Sequence, residues 1–169
     1  RHTTNPDTSD MPFSYLIEKD GVTYLAPAVA LRSVGTIRDA QKWPKRDKRH
    51  QDGRLDNVNF NLLSPYTIQK MLRGLNTLKQ LKEISGATSD TYAYQSARIT
   101  GSAMEKGISL YTMAINKFLG NSVISRLEKV EGQLERFRPT SEDGTGDWVD
   151  LCGLIAPKKL LIPLLDKIQ

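Results

Sequence analysis

The residues best suited to chemistry lie in one short run, RDAQKWPKRDKRH at 38–50. Arg38, Lys42, Lys45, Arg46 and Arg49 supply positive charge there, with Trp43 among them. Arginine forks match phosphate and carboxylate geometry, and lysine adds a mobile point charge. An indole ring can stack on a base, a sugar face or a guanidinium. The set therefore suits a phosphate-bearing ligand such as a nucleotide, a sugar phosphate or coenzyme A. The plainer alternative is a solvated charged loop with local Asp–Arg pairs, each worth ~0–1 kcal/mol.

Charge placement narrows the class of partner. The chain nets +5 over 169 residues, and residues 36–54 hold seven Lys/Arg against three Asp, a net +4. That leaves +1 for everything else, and residues 130–169 carry five Lys/Arg against seven Asp/Glu. A nucleic-acid backbone binder wants a spread basic face with aromatic platforms, so nucleic acid is the weaker alternative.

Other chemistries lack their residues. His2 and His50 are far apart and no cysteine pair exists, so no metal set is expected. The acidic run EDGTGD at 142–147 lacks the ligand spacing of an EF-hand loop. Cys152, the single cysteine, sits between Leu151 and Gly153 with no histidine near it in sequence, so it reads as a small core residue. Phosphate-cradling glycine loops and a nucleophile elbow are both missing. No catalytic residue can be named. Tyr66, Tyr92, Tyr94 and Tyr111 are expected to hydrogen-bond from half-buried faces.

The elements that must position the basic run are legible in outline. A chain of this length suits one domain, able to bury roughly 70% of its unfolded surface. Residues 1–12 read as an extended entry, and 13–169 as a single mainly helical domain. Asp20-Gly21 between β-branched and aromatic runs predicts a β-hairpin over 13–26. A brief helix is expected from Thr36 to Trp43, stopped by Pro44, within a basic loop spanning 38–54. Ser64-Pro65 opens a long helix over 65–85, ended by Gly86, and Gly74 inside it hints at close packing. A second long helix is expected over 102–129, started by a Ser102/Glu105 capping box, with Gly120-Asn121 marking a kink or a close helix contact. A shorter helical stretch to Arg136 is the expected continuation. Residues 139–147 read as a flexible connector, and a last helix over 157–168 is bent at Pro163. The two long helices should pack together and cover the hairpin.

The single cysteine and the polar start favour a reducing, cytoplasmic setting. No apolar run reaches the ~18–20 residues of a membrane span. The missing initiator Met and the apolar end at Gln169 suggest further chain on both sides.

Five runs carry a resemblance: DMPFSYLI at 10–17, LRSVGTIRDAQKWPKRD at 31–47, NFNLLSPYTIQKM at 59–71, MAINKFLGNS at 113–122 and GLIAPK at 153–158. Together they resemble the C-terminal region of a bacterial family of large hexapeptide-repeat proteins. That family looks related to sugar-nucleotide acyltransferases and to UDP-N-acetylglucosamine pyrophosphorylase-like proteins. The resemblance implies a left-handed parallel β-helix upstream of Arg1, with this chain as the helical domain that follows it. It also implies a homo-oligomer, a trimer among the options, with acetyl-CoA or a nucleotide sugar as ligand of the whole protein. On that reading this chain is an accessory domain of a transferase-like protein and holds no cofactor of its own. The alternative role is structural, capping the β-helix or assembling subunits.

Overall fold

The computed structural model describes residues 4–48, 59–127, 138, 140–142, 144–151 and 153–167. The chain is mainly α-helical with an N-terminal β-hairpin. Strands β1 (Tyr15–Lys19) and β2 (Val22–Ala26) pair antiparallel. Asp20 and Gly21 both take positive φ (52° and 74°), the backbone a two-residue hairpin turn of matching twist demands. After β2 the chain turns at Ala28, whose φ is 61° and whose N–H donates to the Ser14 hydroxyl (3.2 Å). A 3-10 turn, Val29–Arg32, then leads into helix α1, Val34–Arg46.

Helix α2 (Pro65–Ser85) starts as its sequence demands. Ser64 Oγ accepts from the Thr67 N–H, and Thr67 Oγ1 accepts from the Ser64 N–H (2.9 Å), a reciprocal cap with Pro65 just inside. Two strands that no local sequence signal announces follow, β3 (Thr91–Tyr94) and β4 (Ala97–Thr100). They pair with each other antiparallel, and β4 joins β2 in parallel, giving a four-stranded sheet of order β1-β2-β4-β3.

Helix α3 (Gly101–Leu127) leaves β4 without a loop. The expected Ser102/Glu105 capping box is not formed. Thr100 Oγ1 accepts from the Ala103 N–H (3.2 Å), two residues earlier, because Gly101 and Ser102 are already helical. Glu105 instead pairs with Lys82 on α2. No break occurs at Gly120-Asn121, and among the described residues nothing outside the helix's own backbone comes within 4 Å of where a Gly120 Cβ would stand.

The core lies between the sheet and the α2–α3 pair. Thr23, Leu25, Tyr92, Ala97 and Ile99 face it from the sheet; Met71, Leu75, Leu78, Met104, Leu110 and Tyr111 fill it from the helices. Gly74 lets α2 press on the entry segment, since a Cβ there would collide with the Asp10 carbonyl oxygen. That entry is bound to the fold. Met11 is buried, Tyr111 Oη donates to the Pro12 carbonyl (2.7 Å), and Tyr94 Oη donates to the Asp7 carbonyl (2.7 Å). Tyr92 Oη donates to the Gly86 carbonyl, and the Tyr66 ring lies 5.4 Å from Lys70 Nζ.

A second hairpin, β5 (Trp148–Leu151) and β6 (Leu154–Pro157), precedes helix α4, Lys158–Leu165, with Pro163 inside it. Gln69 fastens this unit to α2. Its Oε1 accepts from the Trp148 N–H (3.0 Å) while its Nε2 donates to the Trp148 carbonyl. Arg73 pairs with Asp147 and also approaches Asp10 (3.7 Å), which Lys70 reaches at 3.3 Å. The stretch expected to be a flexible connector is thus tied at Asp147, and at Gly144, whose carbonyl accepts from the Trp148 indole (3.0 Å). The helix expected to run to Arg136 lies outside the described residues, as does the 128–129 end of the expected 102–129 helix.

Candidate functional site

Most of the basic run is helical. Residues 38–46 belong to α1, which corrects the expected loop over 38–54. The helix also passes the expected stop at Trp43. Proline disfavours but does not forbid a helical residue before it, and its lost hydrogen bond falls in the last turn. The Asp47 N–H then donates to the Trp43 carbonyl (3.0 Å) and closes the helix. Ser33, not Thr36, is the N-cap residue.

Helical spacing turns a scattered run into one face. At roughly 100° per residue, Arg38, Lys42, Lys45 and Arg46 fall within an arc of about 100°. Trp43 lies beside Arg46 on the flank of that arc and is 57% exposed. Asp39 pairs with Arg38 at 3.4 Å, both side chains well exposed. Such a pair contributes less than ~1 kcal/mol, so Arg38 remains available to a ligand. Lys42, Lys45 and Arg46 make no ion pair among the described residues. Lys45 and Arg46 also sit at the carbonyl end of the helix, where they offset the negative dipole. Arg49 and His50 lie outside the described residues.

Another side of α1 is partly apolar. Ile37, Ala40 and Gln41 line a groove of about 570 Å³ against Leu62 and Leu63 and against Met113 and Lys117 of α3. At the C-terminal end of α1, a notch of about 400 Å³ opens between Pro44, Asn59, Phe60, Asn61 and the β5–β6 turn at Gly153, Leu154 and Ile155. The Asn59 N–H donates to the Gly153 carbonyl (3.1 Å), and Asn59 Oδ1 accepts from the Asn61 N–H (2.9 Å). Amides, a phenyl ring and backbone carbonyls therefore line a recess next to the last cations of α1. Sequence reasoning found the cations but not this recess, whose walls are far apart in the chain.

No other catalytic or metal constellation stands out among the described residues. No three His, Cys, Asp or Glu among them are placed to hold a metal ion. Cys152 and His2 lie outside the described residues. No described helix is long and apolar enough to cross a membrane.

Residues 1–82 match a family model described as a domain of unknown function, DUF4954. Residues 128–169 match a second, also described as a domain of unknown function, DUF6819. No curated protein and no solved structure matches the chain. The cationic helix lies within the first match, and the β5–β6 wall of the notch within the second.

Proposed function

We propose that this chain is an accessory domain that presents a cationic helix to a phosphate-bearing ligand. The observation that supports it is the gathering of Arg38, Lys42, Lys45 and Arg46 onto one arc of α1, Lys42 half-buried and the others exposed, with Asp39 engaging Arg38 alone among the described residues. The phosphate group would meet Lys45 and Arg46, and the adjoining notch at Pro44, Asn59 and Asn61 has room for a sugar or a ring. Trp43 flanks the arc and offers a stacking face. The resemblance to hexapeptide-repeat proteins adds the ligand class, a nucleotide sugar or acyl-coenzyme A, and makes the reaction itself the work of a preceding β-helix.

The test is a thermal-shift screen of the chain against nucleotide sugars, sugar phosphates, acetyl-CoA and a short nucleic acid, at low and moderate salt. A ligand at ~100 times its Kd should stabilise the fold by ~2.7 kcal/mol. The expected result is a nucleotide-sugar or acetyl-CoA shift that persists at moderate salt and is lost in the double variant Lys45→Ala/Arg46→Ala. A shift that the double variant retains would overturn the site. A shift with nucleic acid alone, falling steeply with salt, would replace the ligand class.

A further inference from the structure

Helix α3 carries two apolar faces, and the fold uses one. Its core face ends at Ile115, and Phe118 is the last side chain to pack against the core. The helix then continues for nine residues, about 13 Å. One side of that extension is apolar. Leu119, Val123, Ile124 and Leu127 are exposed along it, with Met113 in line behind them; Ile124 is 67% exposed. At about 100° per residue these side chains occupy one arc of about 140°, on the side away from the core face. Solvent is a poor neighbour for so continuous a stripe, which monomers rarely leave open.

The stripe has the spacing of a helix–helix seam. Met113, Asn116, Gly120, Val123 and Leu127 alternate steps of three and four, with Leu119 and Ile124 widening the seam and Asn116 as its polar position. At its centre stands Gly120, with open space where a Cβ would be. Glycine there weakens the helix relative to alanine, and among the described residues nothing uses the space.

We infer that this stripe is an interface between two copies of the chain, packed antiparallel about a twofold axis between Gly120 and Val123. Gly120 selects the direction. A parallel, in-register pair would set two glycines side by side and leave a void. The antiparallel pair sets each Gly120 against the Val123 of the other copy, so a side chain fills each notch. This register keeps the like charges of the two copies apart. Lys117 and Arg126 of opposite copies come level but on opposite flanks, and their stems lie over Ile124 and Leu119. No carboxylate occurs between Lys106 and Leu127, so no acidic residue of α3 faces the apolar seam. Two such helices paired over three to four turns bury on the order of 1,000 Å² in total, where specific interfaces begin. The inference does not rest on the anion site, although Met113 and Lys117 also line the groove against α1.

Sedimentation equilibrium of the 169-residue chain over a wide concentration range tests it. A monomer–dimer equilibrium is expected, with Ile124→Lys weakening it at least ~tenfold by setting a like charge beside Lys117 of the other copy. Ile84→Glu, on α2 at a site 83% exposed, is expected to leave it unchanged. Gly120→Ala separates the interface from the helix: it should raise the thermal midpoint of the dilute monomer while weakening the dimer. In a Cys152→Ser background, Gly120→Cys chains mixed with Val123→Cys chains should give more disulfide dimer than either alone. A monomer at every concentration, an assembly other than a dimer, or a dimer indifferent to Ile124→Lys would overturn the inference. Predominant Gly120→Cys self-crosslinking would overturn the antiparallel geometry.

Discussion

At the residue scale, two residues at the centre of the fold make its packing measurable. Gly74 sits where α2 crosses the entry segment, and a methyl group there meets backbone, which cannot swing aside. Gly74→Ala should therefore destabilise the fold by ~1–3 kcal/mol despite the better helix propensity of alanine; urea unfolding would measure it, and a stabilised variant would contradict the packing. Tyr111 reports the same region by titration. Burial holds its phenol well above the ordinary tyrosine value of 10.0, against a smaller opposing pull from the Ser14 hydroxyl. A raised folded-state pKa means the folded chain keeps a proton that the unfolded chain releases. Its contribution is thus fully present below pH 10.0 and is lost as the pH rises from there towards the folded-state value. Unfolding free energy should fall on the alkaline side of pH 10.0, and Tyr111→Phe should flatten that fall.

At the element scale, attachment of the β5–β6 hairpin to α2 rests largely on polar contacts. Gln69 mimics a neighbouring strand by pairing with both backbone groups of Trp148. Gln69→Ala removes the partners of an N–H and a C=O, and each loss costs about 1–3 kcal/mol where water cannot substitute. Hydrogen exchange at Trp148 should then accelerate while exchange in α2 and β4 stays slow. Equal acceleration everywhere would mean that hairpin and core unfold as one unit. The hairpin also forms one wall of the notch beside α1, so the same variant should weaken any ligand that uses Asn59 and Gly153 together.

At the scale of the whole molecule, the segment 1–82 that matches one family model does not coincide with a physical unit. It ends inside α2, and it leaves out β3, β4 and α3. Without them Met71, Leu75 and Leu78 lose Met104, Leu110 and Tyr111, and β2 loses its parallel neighbour β4. Residues 1–82 expressed alone should show little near-ultraviolet dichroism and no cooperative melting, whereas residues 4–127 should melt cooperatively. A cooperative transition for 1–82 would mean that the sheet and helix pair contribute less than their burial indicates.

Local signals determined much of this protein. Asp20-Gly21 determined the first hairpin, because few residue pairs accept two positive φ values in succession. Ser64-Pro65 fixed the start of α2, and the three-to-four spacing of Ile68, Met71, Leu75 and Leu78 gave its buried face. The cations of α1 were equally plain as residue types. Tertiary structure decided the rest. The β3–β4 hairpin has no glycine or asparagine at its turn. Gln95 takes φ of 51° there while its side chain accepts from the Asp7 N–H (2.7 Å), and Thr4 donates to the Ser96 carbonyl (2.8 Å). Those bonds join the turn to the far end of the chain, so no local window contains them. The recess beside α1 depends in the same way on segments around Asn59 and Gly153 meeting in space. Periodicity shows which faces are apolar; only the packed chain shows that α3 buries one of its two and leaves the other open.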